Sequence, residues 1–416
     1  MKTKEILKPI LAGIFLILFV SSGGLAAPNS SLIEELSEAD AFHPPGEGDP
    51  VNLYNEWHYF NVIDEEQNLS VVCTFKLNGG TNSSVVLLGY YINDTLASFY
   101  EAHPLTPEFV NYSSQSPDVR ISNNTVTLTD EGYRVHIGSG NGISVFDALL
   151  IPEAEPAPVF NASNLSMPGM GINWLVASPK MEVSGNLSFA GQTYSLNNSR
   201  AYHDHNWGYW SWGDDLGWDW GQVSQAGNYS NETIGEYSLS FGNITNANHS
   251  QSVNSVLNVW KDGEIIANFS GKEIQIEHSN LSTTDIGIPP AEVAQQYILP
   301  QGSFYFPQNT LLNASSGSDT LKIEFTTQNP VPLPVMIPDG REIGSESMNE
   351  SVNESMNESV NESGGGIKYR IIWEMIGTYQ VNGVIDGKPI SYTADGFMEY
   401  VAGGPVSPVP FASSNP

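Results

Sequence analysis

The sequence has one cysteine, few basic residues and no long apolar segment beyond its N-terminus. Because Cys73 is alone, no intrachain disulfide can form, and a disulfide-dependent fold is excluded. Its apolar surroundings indicate a small core residue and not a nucleophile. The chain carries 15 Lys and Arg against 46 Asp and Glu, a formal net charge of −31. A field of that sign repels phosphate backbones, so we expect no nucleic-acid partner.

The N-terminus has the pattern of an export signal over residues 1–27. Three lysines precede an apolar run of 11 at residues 10–20, and two alanines follow at the expected cleavage site. The apolar run is short of the roughly 20 residues that a membrane span needs. We therefore expect a cleaved signal peptide, with an uncleaved anchor as the alternative and the only predicted link to a membrane.

Glycosylation signals are unusually frequent. Of 37 asparagines, 21 begin an Asn-x-Ser/Thr sequon. They include Asn68, Asn82, Asn93, Asn161, Asn186, Asn228, Asn243, Asn268, Asn280 and Asn313. This excess predicts a secreted or cell-surface, N-glycosylated protein, although a Ser/Asn-rich acidic surface would also produce it.

Short segments rich in β-branched and aromatic residues, separated by Gly, Asn, Asp and Pro, predict an all-β fold. Apart from two turns that residues 290–297 could form, we find no helical pattern beyond the signal. Such a chain is typical of an antiparallel sandwich or barrel.

A weak internal repeat divides the chain into two halves. The motif that starts at Trp57 is repeated at Trp218, and the Val183-Ser184-Gly185 motif is matched near the other end by Val381-Asn382-Gly383. This pattern predicts two β-barrels, over residues 45–213 and 214–405.

Two segments should lie outside the barrels. Residues 342–366 repeat Asn-Glu-Ser with little apolar surface, so we expect a disordered insertion within the second barrel. Residues 406–416 are predicted to form a flexible tail.

The stretch over residues 202–221 concentrates groups that could carry chemistry. It holds five of the nine tryptophans and two of the eight histidines. On a strand, alternation gives two faces, one with His203, His205 and Trp207 and the other with Tyr202, Asp204 and Asn206.

Three functional interpretations of this stretch compete with a purely structural one. Two histidines on one strand could bind a metal, but a third ligand is needed and the remaining histidines are scattered in the sequence. Indoles beside carboxylates suit a sugar ring. Acid–base groups at the mouth of an apolar cavity could protonate an alkene or activate water. The structural interpretation is a Trp- and Gly-rich connection between barrels.

Two motifs suggest a family. The first resembles the signature of the carotenoid 1,2-hydratase (hydroxyneurosporene synthase) and AttH-like lipocalin family, and here it reads Asp204-His205-Asn206-Trp207-Gly208. The second resembles that family's Glu-Trp-Trp-Tyr-Phe pattern, and here it reads Glu56-Trp57-His58-Tyr59-Phe60. The resemblance implies two consecutive lipocalin-like barrels that enclose an apolar cavity. It also implies a hydratase or cyclase reaction on an apolar ligand. The family's proton-donating aspartate in a Tyr-x-Asp context has no match, since the counterpart is Tyr237-Ser238-Leu239.

We therefore expect an exported protein that binds an apolar, isoprenoid-like small molecule and could act as a hydratase or cyclase by protonating an alkene. The predicted catalytic residues are Asp204, as the acid or the orienter of the histidine, His205, which would tune or relay a proton, and Trp207, which would shield a cation. The predicted ligand-binding residues are Tyr202, His203, Asn206, Trp57, Tyr59, Trp218 and Trp220. No metal or cofactor is predicted, and the oligomeric state is left open. The alternative is a cell-surface glycan-binding module with Trp210, Trp212, Trp218 and Trp220 as an exposed platform.

Overall fold

The computed structural model describes residues 30–93, 95–164, 171–197, 199–212, 215–225, 236–285, 303–337 and 368–401. The predicted signal peptide, the two-turn helix proposed at residues 290–297, the insertion and the C-terminal tail lie outside these ranges. Within them the chain is almost entirely strand, which confirms the all-β fold class.

The described elements are one α-helix, two short 3-10 helices and 22 strands. In chain order they are α1 (Ser30–Ala39), η1 (Val51–Leu53), β1 (Tyr54–Asp64), β2 (Leu69–Asn78), β3 (Ser83–Ile92), β4 (Thr95–Pro104), β5 (Val110–Tyr112), β6 (Asp118–Ile121), β7 (Asn124–Thr129), β8 (Gly132–Gly138), β9 (Ser144–Pro152), β10 (Ala157–Asn164), β11 (Gly171–Phe189), β12 (Gln192–Ser195), β13 (Arg200–Tyr209), β14 (Gly217–Ser224), β15 (Tyr237–Thr245), β16 (Ser252–Lys261), β17 (Glu264–Ser270), η2 (Gly271–Glu273), β18 (Ile274–Asp285), β19 (Ser303–Ser316), β20 (Asp319–Ile337), β21 (Lys368–Ile385) and β22 (Lys388–Val401).

The strands form two antiparallel sheets. The first has the order β4-β3-β2-β1-β13-β11-β9-β8-β7-β6-β5, with β10 and β12 also paired to β11. The second has the order β17-β16-β15-β14-β22-β21-β20-β19-β18. In both sheets the first strand of the half pairs with the second and with the last, so the two halves share one topology. This is the arrangement of two consecutive lipocalin-like barrels.

The central strands are buried on both faces. Every residue of β1, β14 and β15 is buried. One face of β1, with Phe60 and Val62, belongs to the core inside the first sheet, whereas Trp57 and Tyr59 belong to a second core shared by both sheets. Antiparallel strands usually alternate apolar and polar residues, and here the alternation separates two buried environments.

The helix α1 was not predicted from the sequence. It packs into the first sheet, where Leu36 is fully buried beside Phe42 from the segment that follows. The interior of the first barrel is therefore filled by the chain's own N-terminal segment. In the described part of the chain no helix is long and apolar enough to cross a bilayer.

Cys73 is a core residue, as predicted. Its side chain is 1% exposed on β2, and burial raises the pKa of the thiol far above its usual range. A thiol with so little thiolate is a poor nucleophile.

Candidate functional site

The predicted site residues on β13 point their side chains in two opposite directions. His203, His205 and Trp207 face the interior of the first barrel, whereas Tyr202 and Asp204 face the second sheet. The two faces predicted from alternation are therefore correct. They also mean that the three residues predicted to act together in catalysis do not share one cavity.

Inside the first barrel, three imidazoles surround one carboxylate. Asp40, which directly follows α1, lies 2.8 Å from His203 Nε2 and 3.1 Å from His205 Nδ1 through its two carboxylate oxygens. His58 Nε2 lies 3.3 Å from the same carboxylate. On the far side of His205, Nε2 lies 2.8 Å from Glu56 Oε1. We call Asp40, Glu56, His58, His203 and His205 the imidazole cluster.

The imidazole cluster is fully buried, so its protonation is set by its own members. Although burial opposes ionisation, His203 and His58 hold the pKa of Asp40 well below its usual range. Burial acts to lower the pKa of His205, but hydrogen bonds to Asp40 and Glu56 raise it to about 9. Burial, with the neighbouring charge on His205, lowers the pKa of His58 to about 4. These shifts favour His205 as an imidazolium between the carboxylates of Asp40 and Glu56.

Two predicted roles are corrected by this geometry. Asp204 does not orient His205, because strand alternation places it on the opposite face of β13 and the ring is held by Asp40 and Glu56. Trp207 stacks on His43 with ring centroids 3.9 Å apart. Its contact is therefore with the chain's own N-terminal segment and not with a site for a cation.

The glycine that ends the signature motif has a steric role. Gly208 has φ +146°, and a Cβ at this position would lie 2.2 Å from the carbonyl oxygen of Gly171 on the neighbouring strand. Only glycine allows the two strands to pair so closely at this point.

The histidines are not scattered in space. Six of the eight lie in three groups with acidic residues, each group compact enough to hold a metal ion. The groups are Asp40 with His58 and His203, His43 with Glu56 and His205, and Asp219 with His249 and His278. The argument that a metal would lack a third ligand was therefore wrong, because the sheet unites residues distant in sequence.

On the other face of β13, polar groups are buried between the two sheets. The Tyr202 hydroxyl donates to Asp204 Oδ2 at 2.8 Å, and Trp220 Nε1 donates to the Tyr202 oxygen at 3.1 Å. Burial raises the pKa of Asp204 well above its usual range. Burial therefore favours the neutral form of Asp204, which contacts Tyr202 and not a cavity. Asn206 is also buried between strands and opposes Trp57 in the register.

A cavity of about 170 Å³ lies between the two sheets. Its walls come from the outer face of β1 to β3, from the connection between the halves, and from β14, β20, β21 and β22. We call it the inter-sheet cavity. It is lined by Trp57, Tyr59, Val72, Thr74, Lys76, Asn78, Thr81, Ser83, Val85, Leu87, Tyr100, Trp212, Trp218, Leu333, Ile372 and Glu399. The cavity expected inside a barrel is thus found between the barrels instead.

One carboxyl group lines this cavity, and a second is its neighbour on the adjacent strand. Glu399 lines it and accepts a hydrogen bond from Trp218 Nε1 at 2.9 Å. Directly opposite in the strand register is Glu374, which is 2% exposed and accepts a hydrogen bond from the Tyr59 hydroxyl. Burial, together with the charge of Glu399, raises the pKa of Glu374 well above its usual range, and burial also raises that of Glu399.

The cavity also contains one cation. Lys76 Nζ lies 4.8 Å from the ring centroid of Trp57 and 4.9 Å from that of Trp212. Burial lowers the pKa of this ammonium to about 8. Two indole faces in the cavity thus already stabilise a positive charge.

The proposed glycan platform is not present. Trp210, Trp212, Trp218 and Trp220 are each at most 4% exposed and pack between the sheets, where Trp212 and Trp218 lie 4.8 Å apart. Indoles that stack on sugars must be accessible, so the alternative prediction of a surface module was wrong.

Sequence reasoning missed the acids and the cation of the site. Lys76 lies on β2, far in sequence from Glu374 and Glu399 on the paired strands β21 and β22. All three are remote in sequence from the signature, and no local motif marks them. The only signal is a charged residue at an inward position of an otherwise apolar strand. Asp40 was missed because α1 was missed, although Leu32 and Leu36 have helical spacing.

Comparisons with solved structures show the same fold. An AttH-like protein from Nitrosomonas europaea aligns over 87% of this chain and 97% of its own, at 14% identity and a TM-score of 0.53. Kievitone hydratase from Nectria haematococca aligns over 88% of this chain and 94% of its own, at 13% identity and a TM-score of 0.50. No sequence-family model and no curated protein matches the chain. The predicted resemblance to the AttH-like tandem lipocalin fold is therefore confirmed.

Proposed function

We propose that the inter-sheet cavity binds an apolar or amphipathic small molecule with a double bond, and that Glu399 protonates it. The observation that carries the proposal is an acid of raised pKa at the wall of a cavity lined with indoles. Burial raises the pKa of both carboxyl groups of the pair, and the hydrogen bond with Glu374 partly opposes this shift for Glu399. Enzymes raise the pKa of carboxyl groups in this way when they use them as general acids.

The size of the cavity limits what can enter. A cavity of about 150 Å³ binds benzene, so the 170 Å³ of the inter-sheet cavity takes a single ring or the reacting end of a prenyl chain. Lys76 offers a polar anchor for a hydroxyl or carboxylate on the same molecule. The ligand class is therefore a small unsaturated molecule with one polar group.

In the reaction, Glu399 gives its proton to one alkene carbon. A C–H bond forms as the π bond breaks, and positive charge develops on the other carbon. The face of Trp218, which the Lys76 ammonium does not cover, stabilises that charge. Water then adds to the cation and releases its proton to the Glu399 carboxylate, which restores the acid. Capture of the cation by a second double bond of the ligand would give cyclisation instead.

The proposal changes the roles expected for the signature residues. Asp204 lies behind the cavity, where the charge of Glu399 contributes to its raised pKa. His205 and Trp207 face the first barrel and do not line the cavity. Of the predicted ligand-binding residues, Trp57, Tyr59 and Trp218 line it.

A turnover assay tests this function directly. The full chain is incubated with geraniol or 3-methyl-2-buten-1-ol in ¹⁸O-enriched water, and mass spectrometry follows the gain of one labelled water or the formation of a cyclic isomer. We expect Glu399→Gln to lose about 100-fold or more in rate, the usual contribution of a general acid. Binding, measured by tryptophan fluorescence, should be nearly unchanged.

The matched control is Glu131→Gln, since Glu131 is a surface glutamate with a 61% exposed side chain. Equal rates for Glu399→Gln and the wild type would contradict the acid role. Failure of both alcohols to bind would contradict the ligand class.

We infer also that the protein is exported and N-glycosylated. The support is the predicted signal peptide and the exposure of sequon asparagines, among them Asn68, Asn82 and Asn93 at turns and Asn186 on β11. Intact mass before and after deglycosylation of protein from its own host tests this inference, and an unmodified mass would contradict it.

A further inference from the structure

We propose that Asp219, His249 and His278 form a binding site for a divalent transition-metal ion inside the second barrel. The candidate ligand atoms of these three residues all lie within 4.8 Å of one another. Asp219 Oδ1 is 3.0 Å from His278 Nε2, and Asp219 Oδ2 is 3.3 Å from His249 Nδ1. Ligands about 2.1 Å from a tetrahedral Zn²⁺ are roughly 3.4 Å apart, so small side-chain movements would enclose an ion.

The three side chains come from separate elements and converge on one buried point. Asp219 is on β14, His278 is on β18, and His249 lies in the turn between β15 and β16. Their side chains are 1%, 13% and 7% exposed respectively. Asp219 Oδ1 and His249 Nδ1 have no hydrogen-bond partner of acceptable geometry in the described residues. Buried polar atoms rarely lack a hydrogen-bond partner, and a bound ion would give both of these atoms one.

Further contacts fix which ring nitrogen faces the ion. His249 Nε2 lies 2.7 Å from the Val401 carbonyl oxygen, so Nε2 carries a hydrogen and Nδ1 is the nitrogen that faces Asp219. His278 Nδ1 lies 3.0 Å from the Thr310 hydroxyl, which leaves Nε2 for the ion. Metal-ligating histidines are almost always held in this way through their second nitrogen.

Hydrogen bonds also fix the orientation of the Asp219 carboxylate. Asn243 Nδ2 donates to Asp219 Oδ2 at 2.9 Å, and Ser252 donates to Asn243 Oδ1 at 2.6 Å, which fixes the amide. Tyr400 packs on both imidazoles, with ring centroids 4.5 Å from His249 and 5.0 Å from His278. The donor set is therefore preorganised, which reduces the cost of binding an ion.

The site opens into a polar cavity of about 220 Å³. Besides the three ligands, serine and threonine side chains such as Ser255 and Thr245 line it. Two imidazoles and one carboxylate would leave coordination positions of the ion facing this cavity. Such a donor set suits Zn²⁺ with bound water or non-haem Fe²⁺. The occupant of the open positions is a small oxygen ligand, since most of the wall is polar and only Ile274 and Ile276 add apolar surface.

Metal titration of the full chain tests the site. After dialysis against a chelator, the protein is titrated with Zn²⁺ by calorimetry and with Co²⁺ by visible absorption. We expect one equivalent to bind, with Co²⁺ absorption from nitrogen and oxygen coordination. His278→Gln and Asp219→Asn should each weaken binding by more than about 100-fold, because even partners outside the ligand shell are worth 10–100-fold.

Two further variants separate this site from other histidines and from misfolding. His136→Gln removes a histidine whose side chain is 43% exposed, and it should bind Zn²⁺ as the wild type does. Thr310→Val leaves all three ligands in place and should weaken binding by about 10-fold. A folded His278→Gln that binds as many tight equivalents as the wild type, or no tight binding by the wild type, would overturn the proposal.

Discussion

Glu374 on β21 and Glu399 on β22 stand directly opposite each other in the register of two antiparallel strands. Both side chains point toward the first sheet, into the region where Tyr59 and Trp218 donate hydrogen bonds to them. Like charges directly opposed across a sheet destabilise it. The pair is therefore most stable when at least one of its carboxyl groups keeps a proton.

Raising the pH should destabilise the protein through this pair. When the pKa of a carboxyl group is higher in the folded than in the unfolded protein, its contribution to folding stability is complete at pH values below the unfolded pKa. That contribution is lost as the pH rises through the folded pKa. Each unit of difference is worth about 1.4 kcal/mol. Because burial and the charge of Glu399 raise the pKa of Glu374, we expect the free energy of unfolding in urea to fall above about pH 5.

The variant Glu374→Gln isolates this effect from other titrating groups. It should show a smaller loss of stability between pH 5 and pH 9 than the wild type, whereas the surface variant Glu131→Gln should follow the wild type. Parallel curves for Glu374→Gln and the wild type would mean that the pair is ionised in the folded protein.

Removing the central carboxylate of the imidazole cluster should be costly at neutral pH. In Asp40→Asn three imidazoles lose their shared charged partner inside a dry core, and breaking a buried ion pair costs about 3–5 kcal/mol. Urea unfolding at pH 7 measures the loss. Asp130→Asn, an exchange at an exposed turn, is the control and should change stability little.

The same variant should alter the response to acid. Because the pKa of Asp40 is lowered in the folded state, its stabilisation is present above its unfolded pKa and is lost as the pH falls. Asp40→Asn should therefore lose less stability than the wild type between pH 5 and pH 3. An equal acid response would show that Asp40 does not carry the charge inferred here.

The architecture could be predicted from the sequence because local patterns specify it. Period-two alternation and turn residues mark the strands, and the repeat between Trp57 and Trp218 indicates that the halves share a topology. Alternation also predicted the two faces of β13. Alternation could not predict what surrounds each face of β13. Both faces are buried, and the residues of the strand do not indicate which face contacts the second barrel.

The site was predicted only in part for the same reason. Trp57, Tyr59 and Trp218 belong to repeated motifs, and all three line the inter-sheet cavity. Glu399 and Lys76 are brought there by long-range pairing between strands, which depends on the register of the whole sheet. The imidazole cluster was hidden because its centre, Asp40, follows a helix too short to produce a strong periodic signal.

The indoles of the cavity should report the protonation of Lys76. As the pH rises through about 8, the ammonium above Trp57 and Trp212 loses its proton and the cation–π contacts are lost. We expect a change in tryptophan emission centred near that pH. In Lys76→Met, which keeps the length and apolar stem of the side chain, the transition should vanish.

A matched lysine distinguishes this effect from general titration. Lys322 is 51% exposed and paired with Glu324 on the surface of the second sheet. Lys322→Met should leave the emission transition unchanged. If the emission transition persists in Lys76→Met, it comes from another group. That result would contradict the placement of a titrating Lys76 ammonium in the cavity.

Glycan attachment should distinguish sequons by their position in the fold. Asn82 lies exposed on a turn, whereas Asn243 is 5% exposed and is held between Asp219 and Ser252 by hydrogen bonds. A glycan on Asn243 would displace the amide that orients Asp219 and would need space that the cavity wall does not provide. Glycopeptide mass spectrometry of folded protein from a eukaryotic secretory host should therefore find Asn82 modified and Asn243 bare. Full occupancy of Asn243 in folded material would be incompatible with the packing of β15 against β14.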